Sequence, residues 1–173
     1  FSPMTLEVKV GQLFFARCPT GVVAVLGEQY HLGGYLLFGR DFRDKSQEEV
    51  MEAISSYQQA ARVPLLIGVD EEGGTVVRVS SNPQLAPHRF QSPQELASLG
   101  GDGIFAEDAR QKSALLLSLG INVNFAPVAD VSTDPEDFIY DRTLGQDAQA
   151  TAQYVTEVVG AMEDCGIGSV LKH

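Results

Sequence analysis

Cysteine and histidine are scarce: Cys18, Cys165, His31, His88 and His173 are all that 173 residues contain. The cysteines lie far apart with no CxxC partner, and the histidines lack the spacing of metal ligands. Neither a disulfide framework nor a structural zinc site is expected from them. Two buried free thiols are the expectation, since free cysteine packs as a small hydrophobe. Nucleotide signatures are missing as well. No GxGxxG follows the first strand-like run, no GxxxxGK[ST] occurs anywhere, and no cofactor is expected.

Basic residues are few. Against 23 Asp+Glu stand 12 Lys+Arg, for a formal net charge of -11. Phosphate backbones repel such a surface, and the Lys and Arg residues are scattered along the chain, which argues against nucleic acid as a partner. Neutral polar ligands, sugars among them, remain compatible. No apolar run approaches the roughly 20 residues of a membrane helix. No basic segment leading into an apolar stretch and a cleavage site opens the chain. It begins at Phe1 rather than Met, which is read as the loss of an upstream piece, an export signal or lipid anchor among the candidates. Location is left open between cytoplasm and cell envelope.

What remains is an ordinary globular composition, 44% hydrophobic with a mean hydropathy of -0.02, in a chain long enough for one domain with a core. Short apolar runs alternate with longer amphipathic ones. Residues 13–16, 35–38, 65–69, 121–126 and 169–171 read as strands, each continuous in apolar character as buried parallel strands tend to be. A short helix over 5–12 precedes the first. Ser46-Gln47-Glu48-Glu49 and Ser92-Pro93-Gln94-Glu95 are capping boxes, the second with Pro at the favoured first helical position. After the first box, Val50, Ile54, Tyr57 and Ala61 share one helical face. Residues 105–119 read as a helix closed by Gly120. Asp147 caps the last helix, whose stripe is Tyr154, Val155, Val158, Val159 and Met162, and Gly166 ends it.

Strand–helix alternation with short connections implies parallel strands and right-handed crossovers. An open doubly wound sheet and a (β/α) barrel both fit, and five strands make an incomplete barrel. No linker or repeat divides residues 1–173.

In either architecture function collects where the strands end. There the sequence places Arg17, Gly39-Arg40-Asp41, Asp70-Glu71-Glu72-Gly73-Gly74, Asp130 and Lys172-His173. Asp70, directly after an apolar strand, is suited to accept hydrogen bonds from adjacent sugar hydroxyls; capping its own turn or pairing with Arg78 is the alternative. Gly73-Gly74 permits close approach of backbone to ligand. Arg142 lies in a long loop after strand four, where it reaches ligand oxygens or stays solvated. Lys172 has three readings: a donor to substrate, a Schiff-base nucleophile of the aldolase kind, or half of a buried ion pair. Hydrolysis of a glycosidic bond needs two carboxylates at a set separation. Asp70, Glu71, Glu72 and Asp130 are candidates whose separations no sequence gives.

Several of these segments together resemble one family. They are Met4-Thr5-Leu6-Glu7 through Gly11-Gln12-Leu13-Phe14, Gly33-Gly34-Tyr35-Leu36-Leu37-Phe38, and Val69-Asp70-Glu71-Glu72-Gly73-Gly74 with Arg78. Asn124-Phe125-Ala126-Pro127-Val128-Ala129-Asp130, Arg142-Thr143-Leu144-Gly145 and Lys172-His173 complete the set. The chain resembles the N-terminal part of glycoside hydrolase family 3, most closely the β-N-acetylglucosaminidases (β-N-acetylhexosaminidases). The resemblance implies a TIM-type (β/α) barrel, present as its first five or so strands, and retaining hydrolysis through a covalent glycosyl-enzyme. It implies that Asp70, Arg78, Arg142, Lys172 and His173 surround a terminal N-acetylglucosamine of a peptidoglycan- or chitin-type glycan. In such enzymes a His/Asp acid-base loop and then the nucleophilic Asp follow the Lys-His pair. None of the residues here is therefore expected to be the catalyst, and the chain is expected to be an inactive fragment. Two positions depart from the family: Val8 replaces an acidic residue, and Thr143-Leu144 replaces Ser-Phe. A non-catalytic sugar-binding or assembly module and a Schiff-base lyase using Lys172 are the alternatives. Open sheet edges in a partial barrel lead us to expect self-association or a further segment that covers them.

Overall fold

The computed structural model describes residues 4–18 and 29–173. Its five strands are β1 (Phe15–Arg17), β2 (Gly34–Leu37), β3 (Leu66–Val69), β4 (Val123–Asn124) and β5 (Gly168–Ser169). All pair in parallel, in the order β1-β2-β3-β4-β5. That order separates the two architectures left open by the alternation. A doubly wound sheet reverses strand order at a switch point, whereas a barrel adds each strand beside the last. The sheet is of the barrel type. Leu37 aligns with Val69, Val69 with Asn124, and Asn124 with Ser169. The residues just past these positions therefore emerge together at one rim.

Six helices are described: α1 (Leu6–Gly11), α2 (Gly39–Phe42), α3 (Gln47–Ala60), α4 (Pro93–Leu99), α5 (Ile104–Ser118) and α6 (Ala148–Cys165). Both expected capping boxes form. Ser46 Oγ accepts from Glu49 N at 3.3 Å while Glu49 Oε2 accepts from Ser46 N at 2.7 Å, and Ser92 and Glu95 do the same at 3.2 and 2.7 Å. Asp147 accepts from Ala150 N at 2.9 Å, and Gly166, at φ 76, closes α6 in the left-handed conformation. Each side-chain cap contributes about 1 kcal/mol.

The core lies between the sheet and these helices. Tyr35, Leu37, Ile67 and Val69 point outward from β2 and β3 and meet Val50 and Ile54 of α3, Leu116 of α5, and Tyr154 and Met162 of α6. Of the expected α6 stripe, Tyr154, Val158 and Met162 are buried and Val155 and Val159 lie at its margin. On α3, Val50 and Ile54 are buried and Tyr57 half-buried, as is Ala61, which lies in extended conformation just past the helix end. The opposite sheet face is the barrel interior, where the Phe15 ring meets Phe125 edge-on at 5.3 Å.

All five strands differ somewhat from their expected spans, β2 by one residue at each end, β3 by one residue at its start, β5 by beginning at Gly168 and ending at Ser169, and β1 and β4 most. Leu13 and Phe14 are exposed, and pairing begins at Phe15 and runs to Arg17. The six-residue apolar run 121–126 contributes only Val123–Asn124 to the ladder. Around it, the Asn122 amide bonds the β3 backbone directly: Oδ1 accepts from Ile67 N at 2.7 Å and Nδ2 donates to Leu65 O at 3.2 Å. Cys18 is buried and Cys165 half-buried, and neither forms a disulfide. Among the described residues no helix is long and apolar enough to cross a membrane.

Candidate active site at the strand ends

Three acidic residues follow β3, and the backbone turns alternate ones to opposite sides. Glu71 points inward and has no exposed surface. Its carboxylate accepts the backbone N–H groups of Arg78 and Val79 at 2.8 Å each and of Ser80 at 3.2 Å, together with the Ser80 hydroxyl. The returning loop is thus folded around one anion. Asn124 of β4 holds the same residue by its backbone, accepting from Glu71 N and donating to Glu71 O, both at 3.0 Å. With Glu71 fixed inward, Asp70 and Glu72 face the rim.

Beyond β4 and β5 the pairing resumes as one bridge between Val128 and Lys172, and Ala129 N donates to Lys172 O at 2.7 Å. This bridge sets Lys172 opposite the β3 rim, where Nζ lies 2.6 Å from both Asp70 Oδ1 and Glu72 Oε1. Arg142 arrives on a 3₁₀ turn, Tyr140–Arg142, pinned by Gln94 Nε2 donating to Tyr140 O at 2.7 Å. The turn's exit is held by buried Thr143, whose hydroxyl donates to Tyr140 O at 2.9 Å. Arg142 grips Glu72 through Nε at 3.0 Å and Nη2 at 2.8 Å. Its Nη2 also lies 3.1 Å from His173 Nε2, and His173 Nδ1 lies 2.7 Å from Asp130 Oδ2. A guanidinium can only donate, so Nε2 is the acceptor and the Nδ1 proton goes to Asp130.

Asp70, Glu72, Asp130, Arg142, Lys172 and His173 therefore form one continuous network of ion pairs and hydrogen bonds. Burial by itself would push the Glu72 carboxyl up. The hydrogen bonds and charges of Arg142 and Lys172 outweigh that and hold it below the ordinary carboxylate range. In turn, the hydrogen bond to Glu72 raises the Arg142 guanidinium further above its already high value.

Of the five residues singled out in the sequence, four meet here: Asp70, Arg142, Lys172 and His173. Arg78 does not join them. The suggested Asp70–Arg78 pair is not formed, because Lys172 takes Asp70, and the Arg78 guanidinium lies 5.9 Å from the Phe38 ring centroid. Glu72 is the hub that sequence reasoning placed only among candidate carboxylates. Lys112 went unnoticed. Almost fully buried on α5, it pairs with Asp108 at 2.6 Å and donates to the Glu72 carbonyl at 2.8 Å, bracing the hub from behind. Its only sequence signal is an Asp–Lys pair at i,i+4, which surface helices carry routinely. Among the described residues no group of three or more His, Cys, Asp or Glu is arranged to hold a metal ion.

Comparison with known proteins identifies the family. The family model described as glycosyl hydrolase family 3 N terminal domain matches residues 5–173. The chain is 34% identical over 143 residues to a "Beta-hexosaminidase" of Haemophilus influenzae, covering 82% of this chain and 40% of that protein. It is 33% identical over 149 residues to "Beta-hexosaminidase LpqI" of Mycobacterium tuberculosis, covering 83% and 36%. Among solved structures, a glycoside hydrolase family 3 β-N-acetylglucosaminidase from Paenibacillus sp. superposes with a TM-score of 0.84 at 30% identity, over 99% of this chain and 33% of that one. The chain thus spans about 40% or less of the length of these curated relatives.

Proposed function

The chain belongs to glycosyl hydrolase family 3, and from that premise we propose that its strand-end network holds the terminal N-acetylglucosamine of a β-linked, peptidoglycan- or chitin-type glycan. In the whole protein this sugar is released by a retaining, two-step mechanism. The observation that carries the reading is the Lys172 ammonium shared at 2.6 Å between Asp70 and Glu72, with Arg142 bidentate on Glu72. Acceptors and donors alternate along one rim with little freedom to move, which suits adjacent hydroxyls that each donate once and accept once. Asp70 accepts from hydroxyls. Arg142 and Lys172 donate to them, and His173, steadied by Asp130, closes the same side. The names of the relatives, β-hexosaminidase and β-N-acetylglucosaminidase, support the choice of sugar.

The same geometry argues against catalysis by these carboxylates. Retaining hydrolysis needs one free nucleophilic carboxylate and one carboxyl or equivalent acid about 5–5.5 Å apart. Asp70 and Glu72 are tied to cations, Asp130 to His173, and Glu71 is sealed among backbone donors. We therefore read residues 1–173 as the N-terminal portion of the barrel domain, supplying sugar recognition to catalytic groups that lie outside it.

The test pairs binding with turnover. N-acetylglucosamine should bind the 173-residue chain saturably by NMR titration and lose affinity in Asp70→Asn and Arg142→Gln. The chain should release no p-nitrophenol from p-nitrophenyl N-acetyl-β-glucosaminide. Absent binding overturns the sugar site; turnover that survives purification overturns the division of labour.

A further inference from the structure

Glu72 lies beyond the end of β3, and its carbonyl accepts from no backbone N–H among the described residues. Lys112 supplies the donor instead. Its Nζ lies 2.8 Å from that oxygen and 2.6 Å from Asp108 Oδ2, one turn back on α5. Other groups close in on the ammonium. The Phe90 ring centroid lies 5.5 Å from Nζ, and a Cβ on Gly73 would come within 3.2 Å of it, so glycine at position 73 leaves the room that Nζ needs.

A buried ion pair is a costly way to join two segments. Replacing one by apolar side chains of similar volume is often neutral or stabilising. What an apolar side chain cannot do is donate to the Glu72 carbonyl, and that contact leads directly to the rim.

We propose that Lys112 is a positioning residue for the ligand site: it fixes the Glu72 peptide unit, and through it the carboxylate that orients Arg142 and Lys172. The proposal rests on reading the strand-end network as a sugar site. Glu72 N donates to Val76 O at 3.0 Å, so with Lys112 on the carbonyl both backbone groups of the residue are held. The side chain then leaves a fixed backbone, and its carboxylate meets Arg142 Nη2 at 2.8 Å and Lys172 Nζ at 2.6 Å. Bidentate pairing depends on geometry as well as charge, so a rotated Glu72 peptide disturbs Arg142 even though the substitution lies on α5. Asp108 holds the ammonium in place.

The experiment separates positioning from stability. Lys112→Met removes the donor but leaves Asp108 buried without its cation, so Asp108→Asn/Lys112→Met, which buries no unpaired charge, is made beside it. Ile54→Val, a core truncation on α3, is the stability control. Two quantities are read under conditions where urea unfolding shows every variant folded. They are the Kd for N-acetylglucosamine and the position of the Arg142 Nε–H resonance in the ¹⁵N-labelled 173-residue chain, assigned by its loss in Arg142→Gln. In the double variant Kd should rise about three- to tenfold, as loss of one net hydrogen bond implies, and the Arg142 signal should move. Ile54→Val should change neither. A parental Kd in the double variant overturns the proposal. So does an Arg142 signal that stays in place, because the effect would not then pass through Glu72. An equal change in Ile54→Val would reduce the effect to lost stability and overturn it as well. If the parent chain binds no N-acetylglucosamine, the sugar reading fails instead, and the Arg142 signal alone decides whether Lys112 positions Glu72.

Discussion

Arg142 and Glu72, 70 residues apart in the chain, meet through two parallel hydrogen bonds, Nε to Oε2 at 3.0 Å and Nη2 to Oε1 at 2.8 Å. Because Lys172 reaches the same carboxylate, one side chain orients two cations at the rim.

Replacing that carboxylate by an amide should release both cations. Glu72→Gln keeps the size but puts an N–H₂ group where donors converge, leaving charge uncompensated in a largely buried setting. The expected cost is about 2–4 kcal/mol, read from urea unfolding of the variant and the parent. A loss below about 0.5 kcal/mol would show the network to be as weak as an exposed surface pair.

The same residue gives the fold an acid-sensitive component. Its carboxyl ionises below the ordinary range in the folded chain, so the unfolded state takes up the proton first as pH falls. The stabilisation is fully present above the ordinary glutamate range and is lost as pH drops through the lowered folded value. The stability gap between parent and Glu72→Gln, measured against pH, should therefore narrow on acidification through that window. A constant gap would contradict the linkage.

Glu71 makes a different prediction because its partners are backbone groups. Both oxygens accept, so Glu71→Gln must turn an amide N–H₂ toward existing donors. A loss of about 2–3 kcal/mol is expected, or a fall in Tm of roughly 4–12 °C for a chain of this size. Calorimetry on the variant decides it, and an unchanged Tm would mean that the loop does not depend on its central anion.

Glycine tests the same loop sterically. At Gly73, φ is +105 and an added Cβ would lie 2.1 Å from the Gln91 carbonyl oxygen, which is backbone and cannot rotate away. Gly73→Ala should cost more than about 3 kcal/mol. By contrast Gly160, in α6 with nothing within 4 Å of its would-be Cβ, should gain about 0.5–1 kcal/mol as alanine. Urea unfolding of both variants checks the contrast, and similar effects of the two would remove the steric argument.

Lys172 bears on the lyase alternative. Its Nζ is held between two carboxylates at 2.6 Å each, so its position is taken up by contacts to Asp70 and Glu72 rather than open to a carbonyl carbon. Borohydride reduction in the presence of a carbonyl substrate should leave no adduct on Lys172 by peptide mass mapping; an adduct there would revive the lyase.

Part of this was legible from residue order. Ser46, Ser92 and Asp147 announced their helices because a capping bond spans only three residues, and no distant contact is needed to form it. Asp70, Lys172 and His173 stood out because polar residues closing apolar strands are uncommon unless something holds them, and Arg142 because long loops at that face commonly carry function. Their partners were not legible. Glu71 and Glu72 are identical neighbours in sequence, and only the Asn124 clamp and the donors of residues 78–80 decide which turns inward.

Residue order thus established the alternation of strands and helices, the helix ends, and a set of polar side chains at strand ends, since each depends on contacts a few positions away. The folded chain settled what separations of 70 and 102 residues conceal. It settled that the strands add in barrel order and that Glu72 joins Arg142 to Lys172. Such pairings depend on strand register and strand order, which place side chains side by side however far apart the chain carries them.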